Sequence, residues 1–130
     1  MPTALAPAAV AFDVANHWCE WAADYHAVGR EHVLDFDLMP DEGQQRLFCQ
    51  AYVDALAALS SRGGPGAQLA ARVLGTGSSS GCGGSDARRA AAAELLRKKA
   101  LACVPLSHLK WALWGLIQQK TSDVEFNYYE

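Results

Sequence analysis

Along this chain, apolar and polar positions recur mainly with the period of an α-helix. The first such stretch begins at Phe12, and Gly29 is its expected stop. One helical face would carry Val14, Trp18, Trp21, Ala22 and Tyr25, spaced by four, three, one and three residues. Residues 1–11, rich in alanine and proline, are expected to form an extended lead-in.

A second helix is expected to open at Pro40 and Asp41, after an irregular connection over residues 30–40. The Asp41 carboxylate can accept a hydrogen bond from the first turn, and its charge suits the positive end of the helix dipole. This helix should end near Ser60. Its apolar stripe would consist of Leu47, Phe48, Ala51, Tyr52, Ala55, Leu56 and Leu59.

The second half of the chain predicts two further helices, separated by a proline. Asp86 is the expected cap of an alanine-rich helix over residues 87–103. Pro105 should break or kink that helix, because proline has no backbone N–H to donate. The last helix would cover residues 106–120. Its buried face would consist of Leu109, Leu113, Leu116 and Ile117.

These elements predict a mainly α fold in two helical blocks, residues 1–60 and 86–130. A glycine- and serine-rich segment over residues 61–85 joins them and has the composition of a flexible coil. Acidic residues predominate in the first block and basic residues in the second, although the net charge is only −3. Two solvated faces of opposite charge are the simplest interpretation.

The composition narrows the class of protein. With 51% hydrophobic and 19% charged residues, the 130-residue chain resembles one soluble globular domain rather than a disordered chain. No uninterrupted apolar run reaches the roughly 18 residues of a spanning helix, so no membrane span is expected. The negative net charge argues against a nucleic-acid partner. The start of the chain lacks a basic, apolar leader, so a reducing, cytoplasmic setting is expected.

Candidate metal ligands are present, but their spacing does not favour a metal site. Among His17, Cys19, His26 and His32, no two are three or four residues apart, the spacing that aligns ligands on one helical face. The four cysteines likewise include no Cys-x-x-Cys pair. No metal is therefore expected, and His17 is interpreted as a hydrogen-bonded histidine, either buried or at a helix end.

Aromatic and acidic residues form a more informative pattern. The aromatic residues are Trp18, Trp21 and Tyr25 in the first block and Trp111 and Trp114 in the second, and the nearby acids are Glu20 and Glu125. Ring faces and carboxylates attract a quaternary ammonium ion, at about 0.5–2 kcal/mol per ring. Tryptophans at helical spacing are, however, more often core residues, so the pattern alone leaves both interpretations open.

Four segments resemble the choline/ethanolamine kinase family, and they occur in the family's order on both sides of the glycine-rich segment. They are residues 12–20 (FDVANHWCE), 22–26 (AADYH), 107–115 (SHLKWALWG) and 124–128 (VEFNY). The AADYH segment and the HVLDF that follows it are similar to the choline kinases of plants in particular.

This resemblance implies a protein-kinase-like fold and transfer of the γ-phosphate of ATP, with magnesium, to choline or ethanolamine. The choline-pocket residues that it implies are Glu20, Tyr25, Trp111, Trp114 and Glu125. The structural motif residues that it implies are Asp13, Asn16 and His17.

The family's nucleotide-binding lobe and catalytic loop have no counterpart in this sequence, so no catalytic residue is assigned. We therefore expect a C-terminal fragment of a choline kinase, the helical part of its C-terminal lobe, inactive alone. Neither magnesium nor ATP is expected to bind it well. The alternatives are a fragment of an ethanolamine kinase and a non-catalytic helical interaction module, and a homodimer stays open.

Overall fold

The computed structural model describes residues 5–30, 33–63 and 85–123. Within these ranges the chain is mainly helical, as the periodicity predicts. Its elements are α1 (Leu5–Glu20), a 3-10 helix (Phe36–Leu38), α2 (Glu42–Arg62) and α3 (Ser85–Thr121). The β-structure in the same ranges is an isolated antiparallel bridge between Ala23 and Leu34.

Helix α1 starts and stops earlier than the sequence predicts. It begins at Leu5, so the extended lead-in expected for residues 1–11 is wrong from that residue onward. Proline is tolerated in a first helical turn, because the N–H groups there have no partner within the helix. The helix ends at Glu20, and the amide of Trp21 then bonds to a carbonyl three residues back at 3.2 Å. Trp21 and Tyr25 therefore lie outside α1, and both are exposed.

The connection from α1 to α2 is irregular, as predicted, and it folds back onto the end of α1. It turns at Gly29, whose φ of +74° lies in the left-handed region that favours glycine. The amide of Asp35 donates to the carbonyl of Ala22 at 2.8 Å. This bond and the neighbouring bridge from Ala23 to Leu34 attach the connection to the residues that follow α1.

Asp41 caps α2, as its position predicts. Its carboxylate accepts a hydrogen bond from the Gln44 amide at 2.8 Å, and the Gln44 side chain accepts one from the Asp41 amide at 2.8 Å. This reciprocal capping box satisfies backbone donors that have no partner within the helix.

The buried face of α2 differs from the predicted apolar stripe. Cys49 and Val53 are buried, with Phe48 and Tyr52 partly buried beside them. The predicted members that the structure leaves exposed are Leu47, Ala51, Ala55 and Leu59. Because α2 packs mainly along one neighbour, α3, only a narrow strip of its surface is covered, and the wider predicted stripe is wrong.

Helix α3 runs without interruption over Ser85–Thr121, so the predicted break at Pro105 and the division into two helices are wrong. Proline in a helix interior removes one backbone hydrogen bond and crowds the preceding turn, at a cost of about 3 kcal/mol. Packing on both sides of the proline offsets that cost. Cys103 and Val104 pack against the core, and Ser107 is fully buried.

The core lies where α1 and α2 pack onto α3, and Trp18 is its largest fully buried side chain. The Trp18 ring meets the ring of Phe48 edge to face, with 6.3 Å between ring centres. Its indole N–H has no hydrogen-bond partner among the described residues, so Trp18 stabilises the fold through burial. The other buried members are Ala11, Val14, Ala15, Cys49, Val53, Ala93, Leu96 and Ala100.

Ion pairs along the margin of the α2–α3 contact show that the two helices run antiparallel. The pairs are Arg89–Asp54 at 3.1 Å, Arg46–Glu94 at 2.6 Å and Arg97–Glu42 at 3.7 Å. Hydrogen bonding from Arg97 is the main cause that lowers the pKa of Glu94 below its ordinary value. Since partly exposed pairs contribute little energy, we expect them to set register more than stability.

The last third of α3 exposes an apolar face that the sequence predicts to be buried. Leu109, Leu113, Leu116 and Ile117 are 54, 53, 51 and 58% exposed, so their predicted burial is wrong for the described part of the chain. By length and composition alone, α3 could also cross a membrane. A single helix of this kind is a weak indication, because core helices of soluble proteins meet the same criteria.

Trp18→Ala should lower the free energy of unfolding by about 3–5 kcal/mol, because it leaves a cavity where the largest buried ring had been. Leu47→Ala is the control: Leu47 is 73% exposed, so its loss should change stability by no more than about 0.5 kcal/mol. Urea unfolding followed by circular dichroism measures both. Equal losses in the two variants would contradict this assignment of core and surface.

Pro105→Ala should raise the free energy of unfolding by up to about 3 kcal/mol, since alanine restores a backbone donor in the interior of α3. Leu106→Ala, at the adjacent exposed position, controls for a general effect of alanine there. The same urea titration applies. A Pro105→Ala chain no more stable than wild type would argue against an uninterrupted α3.

Candidate functional site

Asn16 joins α1 to α3 through its side-chain oxygen. That oxygen accepts a hydrogen bond from the Ser107 hydroxyl at 3.0 Å and another from the Trp111 indole N–H at 2.7 Å. Ser107 is fully buried and lies one helical turn before Trp111. Two donors on one face of α3 therefore converge on a single atom of α1.

Cys19 and His108 form a second contact between the same helices. The Cys19 sulfur lies 3.7 Å from His108 Nε2, and the ring of Phe36 packs edge to face against His108 at 5.6 Å between centres. Burial raises the pKa of the Cys19 thiol above its ordinary value. The thiol is therefore protonated at neutral pH and is not an activated nucleophile.

Trp111 and Trp114 form an edge-to-face pair on the surface of α3, with 5.4 Å between ring centres. The two residues are 36 and 44% exposed, so they are surface residues, unlike Trp18 in the core. The ammonium of Lys110 lies 4.3 Å from the ring centre of Trp111 and 5.7 Å from that of Phe12. A cation of this chain thus already lies over the Trp111 ring.

Tyr25 and Glu20 are paired beyond the end of α1. The Tyr25 hydroxyl donates to the Glu20 carboxylate at 2.8 Å. Burial, followed by this hydrogen bond and the charge of Glu20, raises the pKa of Tyr25 to about 12. At neutral pH the phenol stays protonated and continues to donate. Tyr25 is 59% exposed, so it presents ring surface next to a carboxylate.

His17 lies in the last turn of α1, one of the two placements that the sequence predicts, and it is exposed. It accepts a hydrogen bond from the Trp21 indole N–H at 3.4 Å and stacks on the ring of Phe48 at 5.3 Å between centres. Asp13, one turn earlier, is exposed. The contacts of His17 link the end of α1 to α2.

The predicted pocket residues in the described ranges form two pairs. One pair is bonded to α1 at Asn16, and the other includes Glu20, one turn further along α1. Trp111, paired with Trp114, is hydrogen-bonded to Asn16. Glu20, paired with Tyr25, follows Asn16 by four residues, a spacing that places both on the same face of α1. That these residues bind choline stays a prediction.

Sequence reasoning missed Ser107 and Cys19 as parts of this junction. Ser107 lies in the motif segment of residues 107–115, and Cys19 lies in that of residues 12–20. Their positions in these segments could have indicated them from the sequence. The predicted acid Glu125 lies outside the described residues. Within the ranges that the structure describes, no group of three or more His, Cys, Asp or Glu side chains comes together that could hold a metal ion.

A sequence profile of the choline/ethanolamine kinases matches residues 6–130. Because this match covers nearly the whole chain, the chain belongs to the choline/ethanolamine kinase family.

Curated relatives are similar over most of this chain. "Probable choline kinase 1" of Arabidopsis thaliana is 33% identical over 121 residues, which is 93% of this chain and 27% of the relative. "Choline kinase" of Schizosaccharomyces pombe is 29% identical over 121 residues, 92% of this chain and 25% of the relative. The chain thus spans about a quarter of the length of these relatives. No solved structure matches it.

Glu20→Gln should lower the pKa of Tyr25 from about 12 toward the ordinary value of about 10, because it removes the negative charge that disfavours tyrosinate. Alkaline titration of the tyrosinate absorbance measures the shift, and Tyr25→Phe identifies the Tyr25 contribution among the four tyrosines. An unchanged Tyr25 titration in Glu20→Gln would mean that the pair does not form in solution.

Proposed function

We propose that this chain supplies the choline-binding side of a choline kinase, the enzyme that transfers the γ-phosphate of ATP to choline. The observation that carries the proposal is the exposed Trp111–Trp114 pair at the junction of α1 and α3. Membership of the choline/ethanolamine kinase family supports it.

The ring pair suits the chemistry of a quaternary ammonium headgroup. Such an ion has no N–H to donate, so ring faces attract it where ordinary acceptors cannot hold it by hydrogen bonds. The position of the Lys110 ammonium, 4.3 Å from the Trp111 ring centre, supports the placing of a cation at this ring. In the proposed complex the headgroup takes a place at the ring pair, and Lys110 moves aside.

The Glu20 carboxylate supplies the opposite charge. Its hydrogen bond from Tyr25 limits its movement and places an aromatic ring next to it. By resemblance, Glu125 is proposed as a second acid. Choline is proposed in preference to ethanolamine because the named relatives are choline kinases and because ring faces suit an ion without N–H donors.

Phosphate transfer is not assigned to the described residues, since they bring together no group of metal ligands for magnesium-ATP. The nucleotide site of the proposed enzyme belongs to the part of the kinase that this chain, about a quarter of its relatives' length, does not include. We place the chain in the C-terminal lobe of a protein-kinase-like fold, in a cytoplasmic enzyme, and expect no turnover from it alone.

A second candidate is a non-catalytic helical interaction module. The exposed apolar face of Leu109, Leu113, Leu116 and Ile117 favours it, because contiguous exposed apolar surface marks association. Choline binding separates the two candidates, since an interaction module has no need of it.

Trp114→Ala should weaken choline binding by about two- to thirtyfold, the Kd equivalent of losing one cation–π contact of about 0.5–2 kcal/mol. Lys110→Ala should strengthen binding, because it frees the ring of Trp111 from a competing ammonium. Titration calorimetry with choline and ethanolamine measures both variants.

Trp21→Phe is the control, since the Trp21 indole bonds to His17 rather than to the proposed site. Equal choline affinity in Trp114→Ala and wild type would remove Trp114 from the pocket. Phosphorylation of choline by the purified chain with magnesium-ATP would overturn the proposal that the nucleotide site lies outside this chain.

A further inference from the structure

We infer that Asn16 is a positioning residue for the cation site. Its amide oxygen holds the Trp111 indole in the orientation that presents a ring face to the headgroup. The inference rests on the proposed function, because the headgroup is the ligand that needs this ring face. Asn16 itself is assigned no contact with choline.

The chemistry of its partners determines how the Asn16 amide is turned. The indole N–H of Trp111 can only donate, so the Asn16 atom 2.7 Å from it is the oxygen. The same oxygen accepts from the Ser107 hydroxyl at 3.0 Å, which uses both of its lone pairs. The oxygen is therefore fully engaged by α3.

The two hydrogen bonds are tertiary contacts. Ser107 and Trp111 lie 91 and 95 residues further along the chain than Asn16. Ser107 is fully buried, so loss of its acceptor would leave a buried hydroxyl without this partner. The orientation of the Trp111 ring is thus coupled to the packing of α1 on α3.

Trp111 needs such an anchor because it is a surface side chain. A ring that is 36% exposed has more than one staggered rotamer available, and a hydrogen bond to its indole N–H selects among them. Its neighbours Lys110 and Trp114 are exposed as well, so they restrict the ring less than a core would. Cation–π attraction requires the ion over the ring face, which makes the rotamer decisive for binding.

The first arm of the test observes the indole N–H signals in a proton–nitrogen correlation NMR spectrum, without choline. Trp111→Phe assigns the Trp111 signal. Asn16→Ala should move that signal upfield and speed its exchange with water, while the Trp21 signal stays in place. Asn16→Asp keeps an oxygen acceptor and should restore the signal. Ser107→Ala is the matched control, because it removes the other donor and leaves the Trp111 bond intact.

The second arm measures the Kd for choline by calorimetry. Asn16→Ala should weaken it by about two- to thirtyfold, and Asn16→Ala added to Trp111→Ala should cause no further loss, because both act through the same ring. Circular dichroism checks that each variant is folded. If Asn16→Ala does not fold, Asn16→Gln, which displaces the acceptor by one methylene group, serves in both arms.

The two arms separate this inference from the proposed function. If the Trp111 signal is unchanged in Asn16→Ala and the chain still binds choline, the inference is overturned and the proposed function is not. A shifted signal with unchanged Kd would also overturn it. A wild-type chain that binds no choline, yet shows the shifted Trp111 signal in Asn16→Ala, would overturn the proposed function and the role toward the headgroup, and would support the hydrogen-bond anchor itself.

Discussion

Burial against α3 is the interaction on which the rest of the described chain depends. Trp18 of α1 and Val53 of α2 enter a core to which α3 contributes Ala93, Leu96 and Ala100. The alanines allow the other helices to approach closely, and the one large ring fills the space between them. Because α1 and α2 each contact α3 more extensively than they contact each other, α3 sets the position of both.

This packing also explains where the candidate site lies. Once Trp18 is buried, the rotation of α1 is set, and Asn16 faces Ser107 and Trp111 across the helix contact. Glu20 follows Asn16 by about one turn, so the two residues lie on the same face of α1. The candidate site therefore lies at the edge of the core, where Trp111 stays partly exposed while Ser107, one turn before it, is buried.

The sequence predicts some features of the candidate site, and the tertiary structure reveals others. The aromatic and acidic residue types, the helical periodicity and the family resemblance all follow from the order of residues, as does the capping of α2 by Asp41, which needs only local hydrogen bonds. The hydrogen bonds of Asn16 cross more than ninety residues of sequence, so no local pattern reveals which donors it meets. The raised pKa of Tyr25 likewise depends on burial and on Glu20 in three dimensions.

The failed predictions of buried helix faces share one physical cause. Periodicity indicates which residues can form an apolar face, but a residue is buried only where another element packs against it. The described neighbours of α2 and of the end of α3 do not cover all of their apolar side chains. Leu47 and Leu113 are exposed for that reason. Pro105 shows the converse, since local propensity predicts a break and packing keeps α3 continuous. The sequence thus determined most of the helices and the chemical groups available. Tertiary packing decided which helix faces are covered, because a face is buried only by contact with a second element.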